Sequence, residues 1–302
     1  MDVGCGRGYL TFAAHAHFHT RSSSGGGAIG GNGGGGENGA GVDGAGARYG
    51  QVRTVGVEVR PDLVKETNAI AEGLGTGFQG LGFVESPISD YLDLGAADPT
   101  DTTGPIGSAE AGSSTGSVGG VDVLIALHAC DTATDDALWC GMRNGARVIV
   151  TAPCCHKEIR RQLDSAHSGS GGDGDELGAE HPLAEVLGYG IFRERTAEMV
   201  TDTMRSILLE IADYDVSVLE FIGLEGTAKN IMVAATKRPP HRGRSEAEKD
   251  ALRSRLHALM SLVGARRQKL AEWMGEVEPQ LDAHGSARGG VAARGGPSRM
   301  PV

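Results

Sequence analysis

The segment Asp2-Val3-Gly4-Cys5-Gly6-Arg7-Gly8 places three glycines at alternate positions after a short hydrophobic start. Glycines at a strand exit let the backbone turn sharply and approach a ligand closely. The run lacks the Lys-Ser/Thr ending of a phosphate loop and departs from the G-x-G-x-x-G spacing of a diphosphate turn. Glu58 closes the strand-like Thr54-Val55-Gly56-Val57-Glu58. A carboxylate there can accept both hydroxyls of an adenosine ribose. Ser86, Ile88 and Asp90 follow the next apolar stretch. Asp90 could accept the exocyclic amine of adenine while Ile88 covers the ring, and a loop-capping role for Asp90 is an equal alternative. Asp2 is expected to organise the glycine turn or to meet an ammonium group through water.

A second set of polar residues follows Val123-Leu124-Ile125-Ala126: His128, Cys130, Asp131, Thr134 and Asp135. His128 could accept a proton from a substrate hydroxyl or orient it. Asp131 could orient His128, the substrate or the neighbouring loop backbone. The alternative for His128, Asp131 and Asp135 together is a self-bonded loop and a helix cap. A third set, Cys154-Cys155-His156, follows Val148-Ile149-Val150-Thr151. Three readings stand for it: a pocket wall of unreactive thiols, a nucleophilic cysteine adding to C6 of a pyrimidine, or a metal site built with Cys130. Adjacent cysteines lack the usual zinc spacing, so no structural metal is expected. Arg193 and Arg195 could contact phosphate or pair with the acidic part of the chain.

These residues need a scaffold that gathers strand exits at one edge. The apolar runs within 53–60, 80–92, 121–130 and 146–156, the later ones with their exits, alternate with helical patterns at 9–18, 61–75 and 131–145. That order predicts a Rossmann-like, doubly wound α/β sheet. A helix over 192–213, with Met199, Met204, Ile207, Leu208 and Ile211 as its apolar stripe, precedes two final strands that complete a seven-stranded sheet. Ser245 and Glu248 predict a capping box opening a C-terminal helix, with Leu252, Leu256, Leu259, Val263, Leu270 and Trp273 as its stripe. That stripe is expected to pack on the domain or on a protein partner. The first strand is so short that Met1 is expected to lie inside a longer strand.

The chain has 302 residues, of which 49 are glycine, clustered in tracts expected to be flexible insertions at about 20–48, 95–117 and 166–180. About 170 residues remain before position 237, enough for one sizeable core. Residues 1–236 are expected to form the main domain. Residues 237–302 are expected to form a basic linker, an amphipathic helix and a disordered tail. The net charge is -11, divided as +6 over 237–302 and -17 over the rest, which argues against broad nonspecific nucleic-acid binding. Five cysteines, two of them adjacent, do not form a disulfide framework. No apolar run is long enough to span a membrane. A soluble protein of the cytoplasm or an organelle interior is expected.

Taken together, DVGCGRGYLTFA, VGVEVRPDLV, DVLIALHACDTATDDAL and APCCHKEI resemble class I S-adenosylmethionine-dependent methyltransferase domains of eukaryotic methyltransferase-like proteins. They are also similar to tRNA acceptor-stem 2'-O-ribose methyltransferases. The resemblance implies S-adenosyl-L-methionine as cofactor, with Gly4, Gly6, Gly8 and Glu58 holding it. It places the substrate-side stretches on His128, Cys130, Asp131, Thr134 and Asp135, and on Cys154, Cys155 and His156. The resemblance does not name the methyl acceptor; RNA is the expected one, with a protein or small molecule as alternative. A non-catalytic adaptor that keeps the fold is the reading from another class. The tRNA enzymes continue Cys-Cys-His-His, whereas Lys157 follows His156 here. No Asn/Asp-Pro-Pro-aromatic motif follows the fourth strand, which disfavours an exocyclic amine as acceptor.

Overall fold

The computed structural model describes residues 1–23, 52–91, 120–127, 129–168, 183–221 and 229–278. Most of the three glycine-rich tracts, and the tail beyond 278, lie outside the described residues. Two compact units divide at Pro87/Ile88. The strands form a seven-stranded, mostly parallel sheet flanked by helices, in the order β3-β2-β1-β4-β5-β7-β6. This is the Rossmann-like architecture expected.

The first unit holds β1 (Asp2–Val3), α1 (Tyr9–Ser23), β2 (Thr54–Glu58), α2 (Pro61–Gly73) and β3 (Leu81–Glu85). β1 pairs with β2, and β2 with β3, all parallel. Pro61 opens α2 where a missing N–H costs no helix bond. The core of this unit is Cys5, Val64, Ala71 and Phe83, with Phe12 against it. The Phe12 and Phe83 rings lie 5.2 Å apart. Burial, followed by the charges of Asp2 and Glu58, pushes the Cys5 thiol up to about 12, so it stays a neutral core group.

The second unit begins with a 3-10 turn at Ile88–Tyr91 and continues with β4 (Val123–Ala126), α3 (Thr132–Arg143), β5 (Val148–Thr151) and α4 (Lys157–Ser168). Then come α5 (Ala184–Gly188), α6 (Gly190–Ile211), β6 (Tyr214–Glu220), β7 (Ile231–Lys237), α7 (Glu246–Val263) and α8 (Lys269–Trp273). β4 and β5 are parallel, with Ala126 opposite Thr151. β7 lies antiparallel between β5 and β6.

Three sequence expectations are adjusted. Met199 is 65% exposed, and the inner face of α6 is carried by Val200, Met204, Leu208 and Ile211 at i, i+4, i+8 and i+11. Met260, not Leu259, is the buried member of the α7 stripe with Leu252, Leu256 and Val263. Gly264, at φ 67°, ends α7 and separates it from α8. The capping box forms as expected. The C-terminal helices pack on the second unit itself: Gln268, at the start of α8, is fully buried and reaches Asp135 on α3.

The glycine turn sets a close approach. Gly8 sits at φ 72°, and a Cβ there would lie 2.7 Å from the Phe83 ring. Gly75 has a similar φ of 69° with open space around it. Gly75→Ala is therefore expected to cost only the left-handed backbone penalty, about 1–2 kcal/mol. Gly8→Ala should cost that plus an overpacking penalty of about 1–3 kcal/mol. Denaturant melts of the two variants check the difference, and equal losses would contradict the packing described.

Candidate functional site

In the first unit the site is a turn of bare backbone closed by one carboxylate. Gly4, Gly6 and Gly8 all have positive φ, at 66°, 56° and 72°, a conformation that side chains with a Cβ rarely adopt. The N–H groups of Gly4 and Cys5 bond the Val57 carbonyl at 2.9 and 3.2 Å, which fixes the turn against the end of β2. Glu58 is 5% exposed and its Oε2 accepts the Gly6 N–H at 2.9 Å. Its Oε1 accepts the N–H groups of Val59 and Arg60 at 3.0 and 3.2 Å. The Arg60 guanidinium donates to both Glu58 oxygens at 3.0 and 3.1 Å. That guanidinium, followed by the backbone N–H groups that outweigh burial, holds the Glu58 carboxyl below the usual carboxylate range.

This donor set fits an adenosine cofactor. Glu58 is ionised and sits at the carboxyl end of β2, with the Gly6 N–H and the Arg60 guanidinium on its oxygens, so a ribose would have to displace Arg60. That arginine side chain is 59% exposed. Asp2 is buried and accepts the Thr11 hydroxyl at 2.6 Å, tying the glycine turn to α1. Ser86 is buried, with its N–H on the Glu58 carbonyl at 3.1 Å and its hydroxyl on the Pro87 carbonyl at 3.1 Å. In the second unit, Ile88 is half-buried and Asp90 exposed, on the same 3-10 turn.

The β4 and β5 exits belong to the second unit, and a buried charge network joins them. Arg205 on α6 is 1% exposed. Its Nε and Nη2 donate to the two oxygens of Asp135 at 3.0 and 2.7 Å, as a fork. Nη1 donates to Asp202 at 3.1 Å, and Nη2 also reaches the Asp131 carbonyl at 2.8 Å. Burial alone would lower the Arg205 pKa, but Asp135 and Asp202 outweigh it and hold the guanidinium protonated.

His156 hangs from the same network. Its Nε2 lies 3.1 Å from both Asp202 oxygens. A carboxylate only accepts, so Nε2 carries the proton. The ring is 4% exposed. Asp135 is fully buried, and Gln268 donates to its Oδ1 at 2.6 Å. Asp131 has the unusual φ of 54° for a residue with a Cβ. Its carboxylate does not cap α3. It accepts the Glu158 N–H at 3.0 Å, in the first turn of α4. Thr134 donates to the Ala129 carbonyl at 2.5 Å. His128 lies outside the described residues.

The three thiols of the two exits converge. Cys130 and Cys154 have their sulfurs 2.9 Å apart, and Cys154 and Cys155 3.7 Å apart. Burial, together with the two neighbouring thiols, pushes the Cys154 thiol up to about 12. A protonated thiol does not suit the nucleophilic reading. Arg193 pairs with Asp164 at 2.9 Å and Arg195 with Glu198 at 2.8 Å, so both take the acid-pairing alternative. A hollow of about 280 Å³, lined by Asp122, Val123, Arg147, Val148, Thr236 and Lys237, lies at the amino ends of β4 and β5, away from their exits.

Residues 45–162 match a family described as a methyltransferase domain. That match and the seven-stranded, mostly parallel sheet are similar to a methyltransferase domain of the class I fold. The matched stretch includes β2 with Glu58, both thiol-bearing exits and the first half of α4. No curated protein matches the chain.

Sequence reasoning missed Arg205, Asp202 and Gln268. The available signal was an arginine lying in phase with the buried face of a helix, between Met204 and Leu208. It also missed Glu158, whose half-buried carboxyl is pushed up to about 7 by burial and then by the charge of Asp135. The unfolded chain releases that proton near the ordinary 4.5, the folded chain near 7. The stabilisation this provides is complete below about 4.5 and is lost as pH rises to about 7. Glu158→Gln keeps an acceptor for the Lys269 N–H and removes the titration. Its melting temperature should gain on the wild type between pH 4.5 and 7 and hold that gain above. Parallel thermal melts check this, and a constant offset across the range would contradict it.

Proposed function

We propose that the chain transfers a methyl group from S-adenosyl-L-methionine to an acceptor held at the β4 and β5 exits, and that the acceptor is RNA. The observation that carries the cofactor half is the turn of three positive-φ glycines tied by the Gly6 N–H to the Glu58 carboxylate. Gly4, Gly6 and Gly8 leave room for the cofactor backbone, Glu58 accepts its ribose hydroxyls, and Asp2 keeps the turn in place. Ser86, Ile88 and Asp90 attend the adenine. The chemistry the cofactor supplies when bound is an electrophilic methyl on a sulfonium.

The chain's own task is then to align an acceptor and keep water out. His128 is the residue proposed to accept or orient the acceptor proton. Asp131, Asp135 and His156 act as positioning residues: the two carboxylates and the His156 Nε2 are engaged with Glu158, Arg205, Gln268 and Asp202. Cys154 and Cys155 form the wall of the acceptor side. The RNA reading rests on the resemblance of the two exit motifs to ribose methyltransferases and on the positive balance of residues 237–302.

Calorimetry with the full chain should show S-adenosylmethionine binding, weakened about tenfold or more in Glu58→Gln with the fold retained. Equal binding by the variant would reject the ribose contact. No binding by folded wild type would favour the adaptor. With labelled cofactor and fractionated cell extract, label in RNA supports the acceptor class, and label confined to protein or metabolites overturns it.

A further inference from the structure

The pairing of β4 with β5, with Ala126 opposite Thr151, sends two chain exits in the same direction. Cys130 stands on one exit and Cys154 and Cys155 on the other, and their three sulfurs all lie within 4.8 Å of one another. Cys130 is exposed and the other two are half-buried, so the cluster is open to solvent on one side. A tetrahedral ion with metal–sulfur bonds of about 2.3 Å holds its sulfurs roughly 3.8 Å apart. Cys154 and Cys155 already stand 3.7 Å apart, and Cys130, at 2.9 Å from Cys154, needs to retreat by under about 1 Å to match.

The frame around the thiols is held in place. The Asp131 carboxylate receives the Glu158 N–H, Thr134 closes onto the Ala129 carbonyl, and Arg205 holds the Asp131 carbonyl. His156 is the ligand that the Cys-Cys-His spelling offers, but its Nε2 is committed to Asp202 and it does not join the three converging sulfurs.

We infer that Cys130, Cys154 and Cys155 form a binding site for a thiophilic divalent cation of the zinc type, with three thiolate ligands and a fourth position open to solvent. The expectation against a metal rested on the adjacency of Cys154 and Cys155. The parallel pairing of β4 and β5, which sequence spacing does not show, brings Cys130 within reach of both and sets the three sulfurs around one point. Three protein ligands with one open position differ from the closed four-ligand set of a structural zinc, so the chain is expected to fold without the ion. The site takes soft ions because its donors are sulfur. The inference does not depend on methyl transfer.

The test titrates the full chain with Co²⁺ under anaerobic conditions, after reduction and removal of metal by chelator. One equivalent should produce a thiolate-to-cobalt charge-transfer band and intense tetrahedral ligand-field bands, both abolished by one equivalent of Zn²⁺. Cys130→Ser, at an exposed position, should keep the wild-type circular dichroism and melt while losing the charge-transfer band or at least about tenfold in affinity. Cys155→Ser provides the second variant on the other exit. Absence of the band in reduced wild type, or wild-type titration in either folded variant, would overturn the site. So would a Cys130–Cys154 disulfide that re-forms in preference to binding offered Zn²⁺, as read by mass spectrometry after alkylation.

Discussion

Arg205 is buried almost completely, and a guanidinium cannot shed its charge, so the surrounding fold must supply anions and carbonyls in the right plane. It does so from three elements. Asp135 comes from the first turn of α3, Asp202 from the preceding turn of α6, and the Asp131 carbonyl from the loop that leaves β4. Removing one partner of such a buried pair costs about 3–5 kcal/mol, because the other charge is stranded. The arrangement therefore fixes the loop after β4 and, through Asp202 and His156, the loop after β5. Those are the two loops that carry the conspicuous cysteines. The C-terminal segment joins the same centre, since Gln268 donates to Asp135. What looks in sequence like a basic appendage is in part a structural partner of the acceptor-side loops.

The first unit solves a different problem. A cofactor turn must present backbone and one anion, and it must do so without side chains in the way. Alternate positive-φ glycines achieve the first, and the short bonds from Gly4 and Cys5 to Val57 keep the turn against β2. Glu58 is held ionised by Arg60 and by the backbone N–H groups it accepts. The cost of the glycines is conformational entropy, offset by packing of Phe12 and Phe83 beneath the turn.

The strands and the glycine turn were legible because their signals are local. An apolar run of four or five residues, a glycine at each alternate position and an acid at a strand end are all visible without knowing what lies nearby. α4 was missed because Lys157–Ser168 has only Ile159 and Leu163 as large apolar residues in a polar segment. One member of the stripe was misplaced by a residue in each of α6 and α7, Met199 for Val200 and Leu259 for Met260, because large apolar residues stand on both faces of those helices. The roles of Asp131, Asp135 and His156 were legible as polar residues near a site but not as members of a network. Their partners Arg205, Asp202, Gln268 and Glu158 lie between 27 and 133 positions away, and no spacing rule connects them. The thiol cluster stood in the sequence only as one of three alternatives, because its convergence is made by the β4–β5 pairing.

The claim that one buried arginine positions both acceptor-side loops is tested most directly by amide hydrogen exchange on Arg205→Lys, which keeps the charge but loses the planar fork. The Thr134 amide bonds the Asp131 carbonyl and the Glu158 amide bonds the Asp131 carboxylate, so both report on that loop. The account predicts that these two amides lose about tenfold or more in protection, while the Ser86 amide, which bonds the Glu58 carbonyl in the other unit, is unchanged. Unchanged protection at Thr134 and Glu158, or an equal loss at all three, would contradict it.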